Sequence, residues 1–135
     1  MKFKANWKFK NLESLEKVRE GDPYYDSHLV KAVNKLRTVP LNEYQIEDLR
    51  IMIQQNIGLQ FLLPISIEQL KKNLFVEGDF YEGDLLQAVL NIEHNFWKKN
   101  PERWEEVNTL ISGRADELED EGITFDYFRN FYANR

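Results

Sequence analysis

A chain of 135 residues that is 42% apolar, with nine Phe, six Tyr and three Trp, has enough material for one buried core, which excludes a disordered tail. It contains no Cys, so disulfides, thiolate metal sites and cysteine nucleophiles are excluded, and a reducing cytoplasm is the expected location. The net charge of -5 is unevenly spread: Met1–Arg19 carries six basic and two acidic residues, leaving 12 basic against 21 acidic in a body that repels nucleic acid and favours basic partners.

The opening residues MKFKANWKFK alternate Phe3, Ala5, Trp7 and Phe9 with lysines and Asn6, a period of two that suits a strand, although no other segment reads as its partner. A docked tail and an arm that adds a strand to a partner's sheet both fit this pattern. No apolar stretch of roughly 7–15 residues opens the chain as in a signal peptide, and no run of about 18 follows, so neither that export route nor a membrane span is expected.

The period then turns helical. Asp22 and Pro23, or Ser27 as a later start, open a helix with Tyr25, Leu29, Ala32, Val33 and Leu36 on one face, and it must end before Pro40. Asn42 and Gln45 have capping-box spacing ahead of a stripe, Ile46, Leu49, Ile53 and Ile57, that stops at Gly58. In LQFLLPISIEQL a kink or restart is expected at Pro64, with Ser66 and Gln69 at capping spacing and an end near Phe75. The turn VEGDFYEGD follows, in which Phe80 and Tyr81 are expected to pin the backbone to the core. Asp84 is the expected N-cap of the next helix, with Gln87 at N3 and an apolar arc from Leu85 to Trp97. Asn100 and Pro101 open a helix that buries Trp104, Val107, Leu110, Ile111, Ala115 and Leu118 and ends at Gly122, and Thr124 caps a last one with Phe125, Phe128 and Tyr132. The fold class is therefore all-α: a single compact bundle of about six helices over residues 21–135, with residues 1–20 as a basic arm and lead-in that has room for a short extended segment.

Catalytic chemistry has no foothold in this pattern. His28 and His94 stand outside any motif, and there is no HExxH, GxSxG, Walker-type loop or dinucleotide turn. The acids Glu77, Asp79, Glu82 and Asp84 suggest calcium, but their spacing is not that of an EF-hand loop, so neither metal nor cofactor is expected. Turning the helices at about 100° per residue places Glu93 and Arg50 inside apolar arcs, which makes them a candidate buried pair, with Asp79 or Asp84 as the next choice for Arg50. The same projection makes Asp116, Glu117, Glu119, Asp120 and Glu121 crowd a helix C-terminus, where the dipole disfavours them. Together with Glu77, Asp79 and Glu82 they form the candidate docking surface for a basic partner.

The stretches LRTVPLNEYQIEDLRIMIQQNIGLQFLLPISIEQL, VEGDFYEGDLLQAVL and NFWKKNPERWEEV resemble the immunity proteins of contact-dependent growth inhibition systems, the CdiI type, from about Tyr25 to about Leu110. EDLRIMIQQNIGL and EGDFYEGDLL are the most specific parts. Glu82 departs from the proline often found in that turn, and Gln45 and Gln55 replace smaller residues. The resemblance implies a helical, cytoplasmic, non-enzymatic protein that binds the toxic C-terminal domain of a polymorphic toxin. That toxin domain is expected to be basic, as a nuclease would be. An acidic helical adaptor for an unrelated cellular protein is the alternative, and a helical ribonuclease fits the acidic charge poorly.

Overall fold

A computed structural model describes residue 3 and residues 5–16 and 28–133. Nine α-helices are found among them: α1 (Leu12–Glu16), α2 (His28–Leu36), α3 (Ile46–Gln54), α4 (Leu59–Lys72), α5 (Asp84–Leu90), α6 (His94–Lys99), α7 (Pro101–Ile111), α8 (Ala115–Asp120) and α9 (Asp126–Ala133). The chain is all-α. More helices are present than the sequence pattern resolves, because two apolar stretches that read as continuous are each broken in two. Asp22, Pro23, Tyr25 and Ser27, the expected opening of the second helix, lie outside the described residues.

The period-two opening does not become a strand. Trp7–Phe9 form a 3-10 turn, and Phe3 and Trp7 pack against each other and against Phe61 of α4 in tilted ring contacts, with centroids 4.6 to 6.2 Å apart. Asn11 caps α1 by accepting the Ser14 N–H at 2.8 Å, and Leu12 behind it is fully buried against Gly58. The backbone of Glu13 donates to Arg37 O (3.0 Å) and that of Leu41 to Lys10 O (2.9 Å), which ties this segment to the α2–α3 connection.

α4 is buried on most of its circumference and packs against α3, α5 and α7, so it is the central helix. Pro64 does not restart it. The helix runs through all 14 residues, and Ser66 Oγ donates to Leu62 O at 2.9 Å in the turn around the proline. Burial of Leu62, Leu63, Ile67 and Leu70 on one rigid element outweighs the lost backbone donor. The cap of α3 is also three residues later than its spacing suggested: Gln45 is the N-cap and its N–H donates to Asp48 (2.9 Å), while Asn42 sits in the 3-10 turn Leu41–Glu43. At the other end of α3, Asn56 takes a left-handed φ of 56°, and the Ile57 and Asn56 amides bond back to Met52 O (3.0 Å) and Ile53 O (2.9 Å) in a Schellman closure.

A second cluster closes the C-terminal half. Trp97 and Phe128 are fully buried and meet edge to face at 5.5 Å, while Trp104 stacks on Phe128 at 4.9 Å and donates its indole N–H to Phe128 O at 3.0 Å. No helix among the described residues is long and apolar enough to cross a membrane.

Candidate functional site

The turn between α4 and α5 is organised by Asp84. This residue is not the N-cap, a position taken by Gly83 with a φ of 88°; it is the first residue of α5 and only 2% exposed. Its carboxylate points back into the turn rather than along the helix. Oδ1 accepts the Gly78 N–H at 2.6 Å, and Oδ2 accepts those of Phe80 at 3.1 Å and, more weakly, Tyr81 at 3.5 Å. Glu47 of α3 accepts the remaining turn donor, Asp79 N–H, at 3.0 Å.

Glu47 is in turn held by Arg50, whose Nε donates to Oε1 at 2.7 Å and whose second terminal nitrogen donates to Oε2. Arg50 also lies 3.9 Å from Asp84 and stacks on the Phe80 ring at 4.4 Å. Hydrogen bonding from Arg50, together with the Asp79 N–H, holds the Glu47 carboxyl below the usual carboxylate range, and the hydrogen bond to Glu47 raises Arg50. The Arg50–Glu93 pair does not form. α5 ends at Leu90, and Glu93 is the exposed N-cap residue of α6 with its N–H donating to Asn56 Oδ1 at 3.2 Å. The helical projection that carried Glu93 into an apolar arc ran through this break.

Phe80 and Tyr81 do not pin the turn to the core; they are 68% and 47% exposed. The anchoring is done by Phe75 and by Gly83, where an added Cβ would come 2.9 Å from Ile123 Cδ1. Beside the aromatic pair is a cleft of about 400 Å³, lined by Arg50, Gln54, Phe80, Tyr81, Asp84, Gln87, Ala88 and Asn91. Sequence reasoning missed this feature. The signal was two adjacent aromatics flanked by acids in a glycine-bounded turn.

The second acidic segment is rearranged as well. Gly113, with a φ of 75°, separates α7 from α8, so Asp116 and Glu117 lie in the favourable first turn of a short helix and only Glu119, Asp120 and Glu121 lie at its C-terminal end. Gly122 closes that end, with Ile123 N–H on Leu118 O at 2.8 Å. Glu117 pairs with exposed Arg114, whose hydrogen bond lowers the Glu117 carboxyl. The other four acids have no ion pair among the described residues, and the same holds for Glu77, Asp79 and Glu82.

The fold joins the two acidic segments. The Arg114 guanidinium lies over the Phe75 ring at 5.7 Å, Ile123 meets Gly83, and Gln87 both donates to Thr124 O (2.9 Å) and accepts Thr124 N–H (2.8 Å). Thr124 thus tethers α9 to α5 rather than capping it. His94 is likewise engaged, stacked on Tyr127 at 4.0 Å with Nε2 donating to Tyr127 O at 2.7 Å. Among the described residues no group of three or more His, Asp or Glu is gathered as a metal site.

The candidate surface of this all-helical chain is an acidic and aromatic face, the kind of surface on which a protein partner docks. A family model of CDI immunity proteins matches residues 14–107, and the chain belongs to that family. It is an inhibitor that neutralises a toxin and not an enzyme. No curated protein matches the chain.

Proposed function

We propose that the chain protects its own cell by binding the C-terminal domain of its cognate toxin in the cytoplasm, through the face formed by Glu77, Asp79 and Glu82 of the turn and by α8. The observation that carries this reading is the convergence of two acidic segments, anchored to each other through Phe75, Gly83 and Gln87, whose carboxylates are largely without internal counter-ions. Such a face attracts a basic domain, as nucleic-acid-cleaving toxins are, and speeds encounter by long-range steering. It needs no chemistry of its own.

The test is co-expression with the cognate toxin C-terminal domain, followed by co-purification and stopped-flow association. Glu119, Asp120 and Glu121 changed together to lysine lie at a helix end that prefers positive charge by about 0.3–1 kcal/mol each, so folding is retained. Association with the toxin domain should slow at least tenfold at low salt, and protection should be lost. A wild-type association rate in this variant would remove α8 from the interface.

A further inference from the structure

We infer that Phe80 and Tyr81 form the apolar anchor of the toxin interface, and that the adjoining cleft receives a lysine or arginine side chain of the toxin domain. This rests on the proposed function above and names the residues that would dominate its affinity. The first support is rigidity. The backbone donors of Gly78, Asp79 and Phe80 are each satisfied by a carboxylate, two by Asp84 and one by Glu47, and Tyr81 N–H makes a weaker contact to Asp84 at 3.5 Å. The turn therefore presents two large rings on a preformed backbone, the arrangement in which aromatic contacts lose least to ordering on binding.

The second support is the contrast with the other exposed rings. Tyr127 is stacked on His94 and Tyr132 on Trp104, so both already serve the fold. Phe9 is exposed but sits between Lys8 and Lys10, which repel a basic partner. Among the described residues, Phe80 and Tyr81 are the exposed rings that stand among the acids Glu77, Asp79 and Glu82, and Phe80 stays 68% exposed with Arg50 over its ring.

The third support is the charge of the cleft. Arg50 and Asp84 are the charged residues that line it, and Glu47, outside the lining, also lies within ion-pair distance of Arg50. Asp79, whose backbone N–H donates to Glu47, adds a further negative charge that acts on Arg50. Counting Arg50 with Asp84, Glu47 and Asp79, the surroundings of the cleft are net negative, and the Tyr81 ring offers a face to a long cationic side chain.

The experiment uses the full chain and a non-toxic variant of the cognate toxin C-terminal domain, with Kd and dissociation rate measured by calorimetry and surface plasmon resonance. Phe80→Ala and Tyr81→Ala should each weaken binding at least tenfold, mainly through faster dissociation, with an unchanged urea midpoint in Tyr81→Ala and a small fall in Phe80→Ala, which loses the contact with Arg50; Phe9→Ala should bind as wild type. Asn91→Lys should weaken binding and Asn91→Asp should not. Wild-type affinity in both aromatic variants overturns the anchor, and the opposite order of the two Asn91 variants overturns a cationic occupant. Failure of the wild-type chain itself to bind the toxin domain would instead overturn the proposed function, so the two outcomes are separable.

Discussion

Asp84→Ala is the most informative single perturbation of stability. Its two oxygens serve different donors, Oδ1 for Gly78 and Oδ2 for Phe80, and the Tyr81 contact at 3.5 Å adds little. A hydrogen bond to a charged group contributes about 1.5–3 kcal/mol, so removing two of them costs about 3–6 kcal/mol, and water entering at the exposed Phe80 end brings the expected loss to about 3–4 kcal/mol. Asp84→Asn should do only slightly better. It keeps one acceptor oxygen, places an NH₂ against a backbone N–H, and loses the charge near Arg50. Urea unfolding followed by tryptophan fluorescence measures this directly: with a slope of about 1–3 kcal/mol per molar, a loss of about 3 kcal/mol lowers the midpoint by about 1–3 M. Hydrogen exchange at the Gly78 and Phe80 amides should speed in parallel. A loss below about 1 kcal/mol with both amides still protected would refute the view that one carboxylate organises the turn.

A double-mutant cycle of Glu47→Gln and Arg50→Met should give a coupling of about 1–3 kcal/mol, because the two side chains are only 16% and 12% exposed, whereas Glu93→Gln should change stability by less than about 0.5 kcal/mol. The lowered Glu47 carboxyl stabilises the folded state above the pKa of the unfolded glutamate, about 4.3, so the wild-type advantage over Glu47→Gln should be flat near neutral pH and shrink as pH falls through and below that value. Gly83→Ala forces a side chain into a positive φ and against Ile123, and should cost about 1–3 kcal/mol by urea unfolding. Far-ultraviolet circular dichroism should show a helical spectrum that chelators leave unchanged.

The helical stripes of α3 and α7 were legible because each has strong punctuation, Gly58 after the first and Asn100–Pro101 at the start of the second. What escaped were the breaks without such punctuation. Asn91 to Glu93 carries no glycine or proline, and reading through it put Glu93 opposite Arg50. The true partner, Glu47, stands three residues before Arg50 on the same helix, the nearest position a helical ion pair allows. Gly113 was visible, but Ala115 and Leu118 continue the apolar pattern past it, so the break between α7 and α8 was masked and the acids of α8 were assigned to the wrong helix end. The role of Asp84 was misread for a different reason. A carboxylate at a helix start serves either the helix ahead or the turn behind, and the choice depends on where Phe75 and Gly83 anchor that turn, a tertiary contact absent from any local pattern.

Leu12 is buried against Gly58, two residues before the segment that the family model recognises, and Leu118, Ile123, Phe128 and Phe131 are buried beyond its end. The recognisable segment is thus narrower than the core it belongs to. A clone trimmed to residues 14–107 would keep Trp97 and Trp104 while discarding Phe128, which covers both. Such a fragment would present bare indole faces to water and aggregate when expressed, so a crystallisation or biosensor reagent made from this chain should retain both flanks.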